Sequence, residues 1–446
     1  MNVNKKKNVY TIKVVISILL CCFVYGLMSC SSNKSKEEKA ALAALESFEP
    51  VSPEGSDILC FARNLITNHY GISNLVSVNE FYEEAIAAAK RLDEAAEPGI
   101  QNENGVVTAD ISRLISLYFE LCKLAAMLHD GHTGISFPQE INPYLEFYPF
   151  NASVIDGKLI VTAISTEYQN VVGNEVVELN GKTVDQILSA LKQIISFDTE
   201  AFAVDQACKR INMRAALDFT GIGSDDGILR MKFSDDTEIS FEPLSYEAFN
   251  DCSFNTLVTS VERTLYEDSF YECYDLSDDT IFVQYNSCTN ADGYSVADFS
   301  NDVLGFIDNN GFSRIIIDLR FNGGGNSNLL DPFIKQLGKR ISSGKCKGFV
   351  LIGVNTFSSA VLNAWDLKKA GCTLVGTPTG GAINHYGELG YLTLPHSEIL
   401  TTYSTKHFVL DKNAAPGSIQ PDVFVELSVE DLRNGHDSQV AACMEM

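Results

Sequence analysis

The sequence predicts a mixed α/β protein on three observations. The last third alternates short, largely apolar strands (Thr280 to Tyr285, Arg314 to Asp318, Phe349 to Ile352, Thr373 to Val375) with helical stretches at Val296 to Ile307, Leu329 to Leu337 and Ser359 to Ala370. Strands this apolar are covered on both faces, as in a parallel sheet wrapped by helices. The first third is helical by apolar periodicity, and the middle third switches to strands bounded by turn pairs. Over 446 residues, 45% are hydrophobic, which supplies a sizeable core and excludes a disordered chain. The net charge of −25 repels phosphate backbones, so no nucleic-acid partner is expected.

At the amino terminus, Lys5, Lys6, Lys7 and Lys13 precede an apolar stretch from Val14 to Met28. That stretch is shorter than the ~20 residues of a comfortable transmembrane helix. A basic segment before a short apolar one reads as an export signal. It ends Leu27-Met28-Ser29-Cys30, which looks like a bacterial lipobox. The expectation is a signal peptide over 1–29, lipid on Cys30, a solvated tether over 30–44, and a cell-envelope lipoprotein, periplasmic or anchored at the outer membrane or cell surface. An ordinary signal peptide or an uncleaved anchor is the other reading.

A helical region is expected over 45–136. Ser77 to Leu92 forms one helix. A second places Leu114, Ile115, Tyr118, Leu121 and Ala125 on one face and is broken at Gly131. Over 137–265, strands at Lys158 to Ala163 and Glu175 to Leu179 lead through Asn180-Gly181 to a helix opened by Thr183, with Gln186 completing a capping box. Strand, turn and capped helix resemble part of a PDZ-like module. A hairpin is expected over 228–243, turning at Asp235-Asp236. Residues 266–446 form the α/β core. The nine cysteines beyond Cys30 lie mostly in apolar runs and read as buried thiols. Cys252 with Cys273 is a disulfide the sequence allows but does not fix. With no CxxC pair, a structural zinc site is not expected, and no cofactor is expected either.

Three segments carry chemistry. Val354-Asn355-Thr356-Phe357-Ser358-Ser359-Ala360 is a strand-to-helix turn. A Ser there gains from the positive helix end, and the following amide can face an oxyanion. The same hydroxyls serve equally as N-caps. Asp318-Leu319-Arg320-Phe321-Asn322-Gly323-Gly324-Gly325-Asn326 follows a buried strand, and its glycines let backbone amides approach an anion. His129-Asp130-Gly131-His132-Thr133 ends a helix and offers a base for a Ser hydroxyl. A structural histidine is the alternative there.

In this order, with Val375-Gly376-Thr377-Pro378-Thr379-Gly380-Gly381 and Gln420-Pro421-Asp422 beyond, the segments resemble the tail-specific, or C-terminal processing, serine peptidase family, over roughly residues 120–440. The likeness is to the branch that includes the tricorn core and interphotoreceptor retinoid-binding protein. It implies a crotonase-like peptidase core, with Ser358 as nucleophile, His132 as general base, and Ser359 and Gly324 (or a neighbouring glycine) as oxyanion donors. A polypeptide would then be the substrate. The lysine of the processing-protease dyad would align near Ala382, and no Lys lies between Lys369 and Lys406. The carboxylate of the tricorn branch would fall near Ala414 or Ala415. Asp130, Glu388 and Asp411 are the candidates for orienting the base. A second expectation from this resemblance is a non-catalytic protein holding peptides or hydrophobic ligands on the same fold.

Overall fold

The computed structural model describes residues 34–94, 108–257 and 269–446. The expected signal segment and Cys30 lie outside them. Among the described residues no helix is long and apolar enough to cross a membrane.

Four helices open the described chain: α1 (Lys36–Ser47), α2 (Pro53–Asn68), α3 (Val78–Glu94) and α4 (Thr108–Ala126). The expected tether is thus largely a helix. Ser35 and Glu38 form a reciprocal capping box, and Ala41 and Leu45 are fully buried against the helical cluster. α4 ends at Ala126, earlier than expected. The left-handed residue is His129, with φ 47°, and Gly131 keeps negative φ.

Beside a two-stranded ladder of Glu146–Phe147 with Leu244–Ser245, the middle region holds two larger antiparallel sheets around one apolar cluster. Phe150–Ile155, Lys158–Ser165 and Phe254–Thr256 form the first. Val176–Leu179, Lys182–Thr183, Leu229–Phe233 and Glu238–Phe241 form the second. Thr183 and Gln186 do close a capping box on Val184–Leu191.

The core sheet has six strands in the order Tyr271–Ser277, Thr280–Tyr285, Arg314–Asp318, Lys347–Ile352, Thr373–Gly376, Val423–Phe424. The first pair is antiparallel and all later pairs are parallel, with Val283, Ile317, Val350 and Leu374 in one row. All four side chains of that row are buried. Each such apolar side chain contributes roughly 1.5–3 kcal/mol on burial. Helices Val296–Asn310, Asp331–Ser342 and Ser359–Lys369 pack on one face, and Ser438–Glu445 packs on the other through Cys443. The nine cysteines among the described residues are free thiols, so Cys252 and Cys273 are not bridged.

A long hairpin, Asn384–Thr393 with Leu400–Val409, leaves the core. It pairs with the short strand Gly134–Ile135 in the register Gly134 to Thr402. Its tip residues Leu394 and Ile399 are buried in the N-terminal helical cluster. Asp57 of α2 accepts the amides of His396 and Ser397 at 3.1 and 2.7 Å.

Candidate active site

Two loops and one helix start meet in a cavity of ≈ 950 Å³ lined by His132, Gly323, Gly325, Ser358, Ser359 and His385, among others. Each part is held by its own local bonds.

Ser358 follows the strand Lys347–Ile352 and precedes the helix Ser359–Lys369. Its backbone sits at φ 52°, ψ −126°. A non-glycine residue pays strain there, as nucleophile-bearing turns do. Its hydroxyl makes no capping bond and lies 2.9 Å from His132 Nε2. The turn is pinned by Phe357 N–H donating to the Asn322 carbonyl (3.0 Å) and Thr356 Oγ1 donating to the Leu319 carbonyl (2.8 Å). Ser359 begins the helix, so its N–H has no acceptor within the helix. The Ser359 hydroxyl donates to the Gly325 carbonyl at 2.6 Å.

The glycine loop lies flush against this turn. A Cβ on Gly324 would come 2.7 Å from Ser358 Cβ and 3.0 Å from Ser359 N, and Gly324 has φ 110°. Only glycine fits both demands. The Gly324 N–H, however, already donates to Asn322 Oδ1 at 2.9 Å. Gly323 and Gly325 are the glycines of the loop that line the cavity. Asn322 Nδ2 donates to the Tyr285 carbonyl at 2.8 Å. Arg320 is clamped to Asp318 (2.7 Å) and, at 3.0 Å, to Asp437 of the C-terminal segment. This buried network fixes the loop base, and the segment's Asp and Arg are spent on it.

The histidine loop is organised by Asp130. Its buried carboxylate accepts from His69 Nε2 (2.9 Å), Thr133 Oγ1 (2.6 Å), Ser404 Oγ (2.7 Å) and the His132 amide (3.0 Å). Burial pushes this carboxyl up, but the His69, Thr133 and Ser404 bonds outweigh it and bring it down to about 2. Asp130 therefore sets the backbone that carries His132 without touching the ring. The ring is held by stacking, with Phe357 at 4.9 Å on one side and His385 at 5.4 Å on the other. Phe202 stacks on Phe357 in turn, at 4.7 Å. Burial lowers the His132 pKa, with Asp130 opposing, so the ring is neutral at pH 7. His385 donates through Nδ1 to the Ala382 carbonyl (2.8 Å), and burial with the nearby His132 brings its pKa down to about 4.

Of the residues expected from sequence, Ser358, His132, Ser359 and Gly324 come together here. Glu388 lines the same cavity, but it is exposed, at a positive φ, and pairs with Lys406 at 3.3 Å rather than with His132. Asp411 stands outside the cavity lining. Sequence reasoning missed Asp198, which accepts the Gly131 amide at 2.6 Å. Burial first, then the Asp130 charge, push its carboxyl up to about 7 against the pull of the Gly131 and Ala382 amides. Asp198 precedes Thr199, the N-cap of helix Glu200–Cys208, and so looks like ordinary capping sequence. Asp130, His132 and Asp198 each place a ligand-type atom within 4.8 Å of the others. Asp130 is saturated by four donors, so a metal there would have to displace existing hydrogen bonds.

No protein-family model matches the chain, and no curated protein matches it by sequence. Solved structures do. Mature CPAF is similar at TM-score 0.56 and 13% identity, covering 92% of this chain and 96% of that one. Mature CPAF complexed with lactacystin gives 0.56 and 14%, covering 92% and 98%. The photosystem II D1 C-terminal processing protease gives 0.38 and 12%, covering 87% and 99%. At such identities the likeness to CPAF is one of fold, and it extends over nearly the whole of both chains.

Proposed function

We propose that this chain is a serine endopeptidase of the tail-specific type, cleaving polypeptides through an acyl-enzyme. The observation that carries the reading is the 2.9 Å contact between His132 Nε2 and a Ser358 hydroxyl held on a strained turn. An N-capping serine has no need of that backbone, and a core histidine has no need of that partner. In the reaction, Ser358 Oγ bonds to the scissile carbonyl carbon while its proton passes to Nε2 of neutral His132. The Ser359 amide, with a neighbouring glycine-loop amide, receives the oxyanion. The imidazolium then gives its proton to the leaving amine, and water hydrolyses the ester by the same route. Since Gly324 N–H is already committed to Asn322, Gly325 or Gly323 is the better second donor.

The strand-rich middle region is read as a PDZ-like domain over 137–265 that presents an extended polypeptide to the cleft, and 266–446 as a crotonase-like core. Lipid on Cys30 would anchor the protein to a membrane of the cell envelope. The test is labelling of the whole chain by a fluorophosphonate ester, alongside casein cleavage. Labelling that maps to Ser358 and vanishes in Ser358→Ala is expected. A folded parent that neither labels nor cleaves would sink the reading and favour ligand binding.

A further inference from the structure

The site lacks a direct partner for the second nitrogen of its base. His132 Nε2 is committed to Ser358, and His132 Nδ1 is buried with no hydrogen-bond partner. Asp198 Oδ2 is a second buried side-chain atom without a partner. Two such orphans beside one reacting centre are unusual, because buried polar groups are nearly always paired. A ring nitrogen of His132 and a carboxylate oxygen of Asp198 lie within 4.8 Å. Two hydrogen bonds of about 2.8 Å meeting at the angle of a water molecule span roughly 4.6 Å.

The other carboxylates are accounted for. Asp130 is saturated, and Glu388 is exposed on Lys406. Asp198 is rigidly placed: Gly131 holds its Oδ1, and the next residue, Thr199, donates to the Gly380 carbonyl at 2.7 Å. The charged or titratable groups that face it are Asp130 and His132, with His385 stacked behind the ring. Resting on the serine-peptidase reading, we propose that Asp198 is the positioning carboxylate of His132, holding its Nδ1–H through one bridging water. It would fix the tautomer that leaves Nε2 free to accept the Ser358 proton, and it would stabilise the imidazolium that follows. The carboxylate thus comes from the middle region of the chain, on the N-terminal side of a helix that also supplies Phe202 to the stack.

The test compares the whole chain with Asp198→Asn, Asp198→Glu and Ser358→Ala. Fluorophosphonate labelling and turnover of a casein-derived fluorogenic peptide are followed from about pH 6 to about pH 9. Asp198→Asn should lower kcat by about 10²–10⁴-fold with KM changed less than about threefold, since the group acts only as charge develops. Its pH profile should lose the limb near neutrality, and Asp198→Glu should recover at least about tenfold. An Asp198→Asn protein within about threefold of the parent at every pH would overturn the assignment. Should the variant not fold, nitrogen-15 spectra of histidines in the unaltered chain decide. A neutral His132 protonated at Nδ1 is expected, and one protonated at Nε2 overturns the proposal. A parent that does not label fails differently: it removes the peptidase reading, and this inference with it.

Discussion

Replacing Asp198 by Asn should make the protein more stable at alkaline pH. An Asp carboxyl titrates near 3.8 when unperturbed, and the fold raises this one to about 7. A raised acid is the reverse of the familiar salt-bridged case. Between about pH 4 and about pH 7 the folded chain keeps a proton that the unfolded chain has released. The stability this proton confers is complete below about pH 4 and is lost as pH rises through about 7. At roughly 1.4 kcal/mol per unit, the whole loss is about 4 kcal/mol. An amide cannot ionise, so the variant escapes it. Urea unfolding of parent and variant at about pH 4, 6, 7 and 8 measures the difference. The His132 and His385 rings, both held neutral by burial, lose stability on the acid side, but they are present in both proteins and cancel to first order. The difference should be near zero at about pH 4 and grow to roughly 2–4 kcal/mol in favour of Asn by about pH 8. A difference that is flat, or that favours Asp at high pH, would refute the reasoning. Loss of turnover together with a gain in stability would mark Asp198 as strain kept for function.

Other expectations follow from single contacts. Asp130 works in the opposite sense: its depressed carboxyl stabilises the fold above about pH 4, and that contribution fades as pH falls through about 2. Asp130→Ala, which strands the buried His69, should cost about 3–5 kcal/mol by urea midpoint. Gly131→Ala would place a Cβ 2.8 Å from Phe357 Cζ and 3.1 Å from Asp198 Oδ1. Overpacking of about 1–3 kcal/mol should displace the ring stacked on His132 and lower kcat/KM by at least about tenfold, read in a peptide assay with a melting curve beside it. Ser359→Ala keeps the amide and loses only a hydroxyl bond, so turnover should stay within about tenfold of the parent while Ser358→Ala falls to background. The reverse ranking would make Ser359 the nucleophile.

The parts of the fold that were legible are those with one-dimensional signals. Arg314–Asp318 announces a doubly covered strand because Ile315, Ile316 and Ile317 are all buried. Thr183 and Gln186 announce a helix start because the cap is made by neighbours in sequence. Ser358 and His132 were legible through motif order. The contact between them joins residues far apart in the chain, which no periodicity encodes. The charged run after Cys30 hid a helix, since its burial rests on two small contacts, Ala41 and Leu45. Gly131 looked like the helix breaker, but His129 takes that backbone, and Gly131 is needed for its missing Cβ beside Phe357 and Asp198. Asp198 was illegible because a carboxylate next to an N-capping Thr has an ordinary local explanation. The hairpin Asn384–Val409 has exposed Leu389 and Tyr391 among its residues and pairs with a two-residue strand, so it carries no clean alternation.

That hairpin sets a limit on modularity. By sequence it belongs to the last third of the chain, yet Leu394 and Ile399 sit among the N-terminal helices, and Ser404 and Thr402 hold the histidine loop at Asp130 Oδ2 and at the His132 carbonyl. Serine and histidine are therefore supplied by opposite ends of the polypeptide and registered to each other by an arm that crosses between them. The chain can be cut on paper into three consecutive blocks, but its first and last blocks are interlocked. A core excised at residue 266 would carry the arm away with its apolar tip bare, and the helices left behind would lose a wall of their own interior. Lengthening is easier to accommodate in the loops of the middle region, outside the interlock. Shortening at the amino-terminal helices would unseat His132 from Ser358 before it touched either residue.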